Sequence, residues 1–259
     1  FRLNPVTDRI LLKKSLETNY VVGGGIPQFH NDTHIIRYLE KRGATTEEAR
    51  DWAAHGCSQP VSPRHRTYIR PAGWCNMPLA LDAALHDGIA SKSGKRIGLQ
   101  TGDPRSFKSY EQLEAAVKKQ MEFFLQRLAW QGRIGISAWS QRCRLTFTSS
   151  ILPGCLDKGL DVLQCGQADH SLWYMKDRGL VNLADSLTAI RKLVFRDKRL
   201  SMQELLQALE QDFAGERGEE IRRLCLGAPK YGNEDPEDIP RIFEKIENPT
   251  RPTSVIVRP

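Results

Sequence analysis

The sequence predicts an α/β protein in which helices outnumber the visible strands. Two observations support this prediction. Helix-start signals precede several amphipathic stretches, and the few strand candidates are short and lie close to loops or helices. With 259 residues, of which 40% are hydrophobic and 27% charged, the chain is long enough to bury a substantial core.

The helices are predicted from capping residues and apolar periodicity. Thr45 to Glu48 is a capping box, from which a helix should run through Trp52 and stop at Gly56. Residues 109–112 should open a second helix in a similar way, and its apolar stripe has three-to-four spacing at Leu113, Val117, Met121, Phe124 and Leu128. "NLADSLTAIRKLVF" and the segment that starts at Ser201 predict two more helices.

Strand signals are weaker than helix signals. Residues 134–139 and 145–149 are candidates, and "NPTRPTSVIVRP" at the end of the chain has the alternation and β-branched content of a strand. Strands this short, next to helices, are typical of an α/β protein with buried strands.

Composition excludes several function classes. The net charge of +7 comes from 38 basic and 31 acidic residues that are interspersed, so no basic run predicts a nucleic-acid partner. No apolar run approaches the ~18 residues of a membrane helix, and "FRLNPVTDRI" lacks a signal-peptide layout. We therefore expect a cytoplasmic protein without a membrane partner.

The six cysteines have no CxxC spacing, which disfavours a disulfide framework and a structural zinc site. Reduced thiols are expected. One of the six thiols could be catalytic, whereas Cys143, Cys155 and Cys225 are interpreted as small buried hydrophobic residues.

Two short motifs carry alternative functions. Residues 23–28, "GGGIPQ", could cradle phosphate but lack the Lys-Ser/Thr of a P-loop, so we interpret them as a turn. His30 and His34 would share a helix face as zinc ligands do in HExxH proteases, yet Asn31 occupies the position of the glutamate base. A zinc enzyme is a distant alternative, and no metal site is predicted.

A cationic loop follows Cys57 and contains Arg64, His65, Arg66 and Arg70. It could be a solvated loop. It could also recognise a carboxylate, because the planar guanidinium fork matches that group.

Cys57 lies in "WAAHGCSQPVSPRHR", where the predicted helix gives way to this loop. A nucleophilic thiolate needs a base, and His55 is two residues away, a spacing that does not place two side chains face to face on a helix. The alternative is a one-electron relay, in which a thiyl radical removes hydrogen from a substrate carbon. That chemistry needs position and exclusion of water rather than a lowered pKa.

The order of several blocks resembles the glycyl-radical enzymes of the pyruvate formate-lyase-like group. These blocks are "PQFHND", "GATTEEARDWAAHGCSQP", "WCNMPLALDAALHDG", "TGDPRSFKSYEQLEAAVKKQMEFF", "VNLADSLTAIRKLVF", "SMQELLQALEQDF" and "APKYGNEDP". The resemblance covers essentially the whole chain.

This resemblance implies a ten-stranded α/β barrel of two half-barrels, with residues 1–259 as one barrel domain that represents the second half-barrel and its surrounding helices. Cys57 in "HGCSQP" matches the thiyl cysteine of the family. The family's radical glycine lies in an "RVxGY"-like motif that these residues lack. We therefore expect an interior fragment without the first half-barrel or the radical loop, inactive on its own.

The resemblance also implies partners. A radical-SAM activating enzyme would install the glycyl radical in the missing C-terminal segment, so no cofactor is expected in this chain. The complete protein would bind a small-molecule substrate under anaerobic conditions and form a homodimer or a larger oligomer.

Departures from the family narrow the expected reaction. Family dehydratases and C–N lyases carry a glutamate two residues after the cysteine, where this chain has Gln59, whose amide cannot exchange a proton at neutral pH. The aspartate of the diol dehydratases is replaced by Pro71, and Gly56 replaces the second cysteine of pyruvate formate-lyase itself.

Chemistry with little acid/base help remains, on a carboxylate-bearing substrate held by Ser58, Arg66 and Arg70. The expected reaction makes or breaks a C–C or C–X bond, as in the X-succinate synthases, which "YMKDRGLVNLADSL" resembles, or in an unassigned lyase. The alternatives are a glycyl-radical dehydratase or C–N lyase and a catalytically inert structural fragment.

Overall fold

The computed structural model describes residues 1–23, 25–55, 59–62, 67–164 and 170–231, with backbone alone at residues 55, 59, 67–72 and 170–176. The helices in these ranges are α1 (Arg9–Val22), α2 (Asp32–Glu40), α3 (Thr46–Arg50), α4 (Met77–Leu85), α5 (Tyr110–Arg142), α6 (Thr146–Ile151), α7 (Cys155–Lys158), α8 (Leu180–Ile190), α9 (Met202–Glu210) and α10 (Gly215–Leu226). The strands are β1 (Arg2–Leu3), β2 (His30–Asn31), β3 (Ala53–His55), β4 (Gln59–Val61), β5 (Thr67–Asn76) and β6 (His170–Arg178).

The described strands form three two-stranded sheets, β1 with β2, β3 with β4 and β5 with β6. The chain divides into two compact units, one of residues Phe1–Arg70 with Ser137–Leu172 and the other of residues Pro71–Ile136 with Trp173–Pro259. The mixed, helix-rich content confirms the predicted α/β class. The single barrel domain over residues 1–259 stays a prediction.

The first unit has a small core around α2 and α3. It consists of Leu39, Ala44, Ala49 and Trp52. The capping box predicted at Thr45 is present, because the Thr45 hydroxyl accepts from the Glu48 N–H and the Glu48 carboxylate accepts from the Thr45 N–H. This cap fixes the start of α3 and so the approach to β3.

The second unit holds the larger core, in which α4, α5, α8, α9 and α10 supply the buried side chains. The predicted helices are confirmed there. Leu113 and Val117 of the α5 stripe are buried, and the second capping box joins Ser201 to Glu204 at the start of α9. A π-helical segment, Arg191–Arg196, continues α8.

Three secondary-structure predictions are wrong. The helix expected to run through Trp52 ends at Arg50, because residues 53–55 pair with residues 59–61 and use the backbone groups that a helix would need. Residues 134–139 are part of α5, since a helix that has already formed extends at little cost and no neighbouring strand competes for these residues within the described part of the chain. Residues 145–149 fall largely in α6, where the Leu145 N–H and the Ser149 hydroxyl donate to Asp161 Oδ2 at 2.9 and 2.8 Å.

Two other expectations concern the chain termini and membranes. The strand predicted in "NPTRPTSVIVRP" lies outside the described residues. Within the part of the chain that the structure describes, no helix has both the length and the apolar content needed to cross a bilayer.

Candidate active site

The cysteine predicted to be catalytic belongs to the connection of a short β-hairpin. Strands β3 and β4 are antiparallel, and their paired residues are Ala53 with Val61, Ala54 with Pro60, and His55 with Gln59. Residues 56–58 connect the strands and include Cys57 and Ser58, which lie outside the described residues. Gln59 is the first residue of β4, and only its backbone is described.

Trp52, at the entry to this hairpin, is held by its side chain and its backbone. Its indole N–H donates to Asp32 Oδ1 at 2.5 Å, and its carbonyl accepts from Arg2 Nη1 at 3.0 Å. The Arg2 guanidinium lies 4.7 Å from the centroid of the Trp52 ring, and its Nη2 lies 2.7 Å from Asp32 Oδ1. The ring of His30 packs edge-on against Trp52 at 5.8 Å.

Ser62, at the exit of the hairpin, is held by the neighbouring helix. It directly follows β4 and is 1% exposed, and its hydroxyl donates to the Glu48 carbonyl in α3 at 2.6 Å. Trp52 is 3% exposed, so both ends of the hairpin are buried. We call Arg2, Asp32, Trp52 and Ser62 the hairpin clamp.

Sequence reasoning missed the hairpin clamp. Asp32 lies inside "HNDTH", where the histidine spacing is the conspicuous pattern, and the block "PQFHND" is the one sequence signal that includes it. Its partners Arg2 and Trp52 are 30 and 20 residues away, so local spacing gives no indication of the contacts.

The arginines predicted to bind substrate are only partly placed. Arg64, His65 and Arg66 lie outside the described residues, and Arg70 falls in β5, where only its backbone is described. Strand β5 pairs with β6. The role of Arg66 and Arg70 therefore stays a prediction.

The histidines of the zinc alternative do not share a helix face. His30 lies in β2, Asn31 caps α2 through a hydrogen bond from the His34 N–H, and His34 is in the first turn of that helix. Across the described ranges, no group of three or more His, Cys, Asp or Glu side chains is arranged to hold a metal ion. The triplet at residues 23–25 follows α1 rather than a strand, and Gly23 ends that helix in the left-handed conformation, so the interpretation as a turn fits the described part of this segment.

The described thiols differ in exposure. Cys75 and Cys155 are buried and Cys225 is half-buried, whereas Cys143 is exposed, so the interpretation of Cys143 as a buried hydrophobic residue is wrong. Burial, and then the nearby Asp177 carboxylate, raises the pKa of Cys75, and burial also raises that of Cys225. These two thiols therefore stay protonated at neutral pH and are poor nucleophiles.

Solved structures place this helix-rich α/β fold among the glycyl-radical enzyme barrels. Hydroxyproline dehydratase from Clostridioides difficile, with trans-4-hydroxy-L-proline bound, matches with a TM-score of 0.81 and 32% identity over 95% of this chain and 31% of that chain. The glycerol-bound B12-independent glycerol dehydratase from Clostridium butyricum matches with a TM-score of 0.79 and 30% identity over 94% of this chain and 30% of that one. These likenesses confirm the predicted fold class.

Sequence comparison gives the family. The profile of the family described as "Pyruvate formate lyase-like" matches residues 1–246. Isethionate sulfite-lyase from Desulfovibrio desulfuricans is 34% identical over 234 residues, which cover 87% of this chain and 28% of that enzyme. This chain belongs to the pyruvate formate-lyase-like family of glycyl-radical enzymes, and it spans less than a third of the length of these relatives.

Proposed function

We propose that the full-length protein containing this chain is a glycyl-radical lyase that cleaves a C–X bond of a small anionic substrate, with Cys57 as the hydrogen-abstracting residue. The observation that carries the proposal is the position of Cys57 in the chain: it lies in the three-residue connection of a hairpin whose two ends are both held by buried contacts. Hydrogen abstraction depends on how closely the sulfur and the substrate carbon are held, and such a hairpin restricts that distance.

The proposed reaction balances as follows. The Cys57 thiyl radical takes one hydrogen atom from a substrate carbon that bears a hydroxyl, which gives a thiol and a carbon radical. The neighbouring group X then leaves with its bonding electron pair, and the hydroxyl gives its proton to water or to the released X anion as a carbonyl forms. The resulting product radical takes the hydrogen atom back from the Cys57 thiol, which restores the thiyl radical.

Cleavage is favoured over addition by the relatives, whose names are those of lyases and dehydratases. Gln59 favours a leaving group that departs without a proton donor, because an amide is not a general acid at neutral pH. A weakly basic group such as sulfite, which the isethionate sulfite-lyase relative releases, meets this condition better than hydroxide. Dehydration is the second candidate, because two relatives named above are dehydratases.

Arg66 and Arg70 are proposed to hold the anionic end of the substrate by paired hydrogen bonds. Lysine keeps the positive charge but loses the planar fork. Arg66→Lys and Arg70→Lys, each made singly, should therefore raise KM and leave kcat less affected. Unchanged KM values in both variants would remove the anionic-substrate part of the proposal.

The test uses the full-length protein, activated without oxygen by its proposed radical-SAM partner. Isethionate, trans-4-hydroxy-L-proline and glycerol are supplied separately, and sulfite, the dehydrated imino acid and aldehyde are measured. Cys57→Ser should abolish turnover but keep the organic-radical signal, whereas Cys143→Ser, at an exposed thiol, should keep both turnover and the signal. Turnover by the Cys57→Ser variant would contradict the proposal, and glycerol dehydration faster than sulfite release would favour the second candidate.

A further inference from the structure

The hairpin that contains Cys57 has little stability of its own. Each strand has three residues, and isolated two-stranded hairpins are marginal in water. Pro60, which pairs with Ala54, has no N–H, so it can donate no hydrogen bond to a neighbouring strand. The pairing between β3 and β4 is therefore a weak restraint on where the connection between them lies.

The hairpin clamp compensates for this weakness where the chain enters the hairpin and where it leaves it. Trp52 adjoins the Ala53 end of β3 and Ser62 adjoins the Val61 end of β4, so the two anchors flank one residue pair of the register. Trp52 is bonded to Asp32 at the start of α2, and Ser62 is bonded to Glu48 in α3. The two arms are thus attached to neighbouring helices that share one small core.

Arg2 connects the clamp further. Its Nε donates to Asp32 Oδ1 at 2.9 Å, and its Nη2 donates to the Arg50 carbonyl at 3.1 Å, in addition to its bond to the Trp52 carbonyl. One side chain therefore holds the carboxylate that accepts from the indole and the backbone that leads into β3. Asp32 is 7% exposed, so water competes little for the hydrogen bonds that its carboxylate accepts.

We propose that Asp32 and Trp52, supported by Arg2 and Ser62, are positioning residues that set the location of the Cys57 sulfur. This inference rests on the proposed role of Cys57. A misplacement of about 1 Å in a reacting group costs on the order of 10²-fold in rate, so the clamp is expected to act on kcat through the position of the Cys57 sulfur.

The first experiment needs no substrate. The rate at which iodoacetamide alkylates Cys57 is measured by peptide mass spectrometry in the full-length, non-activated protein. The alkylation of Cys155, which is buried, is the internal measure of global folding, because unfolding would expose this thiol. Trp52→Phe keeps an aromatic ring but removes the N–H donor, and Ser62→Ala removes one hydroxyl. Each should change the Cys57 rate by roughly an order of magnitude and leave the Cys155 rate unchanged.

Two matched controls make the same chemical changes at exposed positions. Trp130→Phe alters a tryptophan that is 60% exposed, and Ser186→Ala removes an exposed hydroxyl that donates to the Asn182 carbonyl in α8. Neither should change the Cys57 rate. Equal Cys57 rates in Trp52→Phe, Ser62→Ala and these controls would overturn the inference. If Trp52→Phe does not fold, Ser62→Ala decides the outcome.

The second experiment compares the turnover of the parent and the variants at equal radical content per protein. Isethionate is the substrate if the parent releases sulfite from it. Trp52→Phe should lower kcat by about 10- to 100-fold with little change in KM. Asp32→Asn, which keeps an oxygen for the indole N–H, should have a smaller effect than Asp32→Ala. An altered Cys57 alkylation rate with unchanged kcat would refute the positioning role, whereas turnover by Cys57→Ser would refute the proposed function and leave the alkylation result standing.

Discussion

Replacing Gln120 should cost more stability than any other single glutamine change on α5. Gln120 is fully buried, its Oε1 accepts from the Leu99 N–H at 2.9 Å, and its Nε2 donates to the Leu99 carbonyl at 2.7 Å. Gln120→Leu fills a similar volume but leaves both backbone groups of Leu99 without this partner. An unsatisfied buried polar group costs about 1–3 kcal/mol, so the two together predict a loss of about 2–6 kcal/mol.

The assay combines chemical unfolding with amide hydrogen exchange in the full-length protein. The free energy of unfolding should fall by the stated amount, and the Leu99 amide should exchange faster than in the parent. Gln126→Leu, at an exposed position on the same helix, should change stability by less than about 0.5 kcal/mol. Equal stabilities for the two variants would refute the assignment of Gln120 as a buried hydrogen-bonding partner of the Leu99 backbone.

The remaining predictions concern proton chemistry. Gln59→Glu places a carboxylate at the position where the family's dehydratases carry one. It should raise the rate of aldehyde formation from glycerol by about 10²- to 10⁴-fold. No gain over the parent would count against the proposed role of this position. Hydrogen bonds from the Ser201 N–H and then from Arg217 lower the pKa of Glu204 from 4.5 to about 2, so its stabilising contribution is complete above pH 4.5 and is lost as the pH falls toward 2. Glu204→Gln should therefore flatten the decline of the thermal midpoint over this interval, only modestly because the side chain is 40% exposed, and Glu210→Gln on the same helix should not.

Features determined by local sequence were predicted correctly. The capping boxes at Thr45 and Ser201 involve residues three apart, and the α5 stripe repeats every three to four residues, so both are visible in short windows of sequence. The family was also recognisable, because its blocks keep their order along the chain. Local signals therefore gave the starts of these helices and the class of protein.

Features determined by distant contacts were missed. The end of α3 at Arg50 depends on the pairing of β3 with β4 and on the bond from Trp52 to Asp32, neither of which changes the helical pattern of the sequence. Gln120 looks like a polar interruption of an apolar stripe until Leu99 is placed beside it. Propensity was also misleading at residues 134–139, where β-branched residues lie within a long helix.

The same contrast between local and distant signals applies to the proposed reacting sulfur and to the contacts that position it. A motif can point to Cys57 as the proposed hydrogen-abstracting residue, because a sulfur that exchanges hydrogen atoms needs no shifted pKa and can be marked by one short block of sequence. The proposed restraint on that sulfur comes from bonds that span 14 to 50 residues, from Ser62 to Glu48 and from Arg2 to Trp52. Two paired strands of three residues each cannot supply that restraint alone. Asp32 and Trp52 therefore have no catalytic signature in the sequence, and yet their substitution should lower kcat.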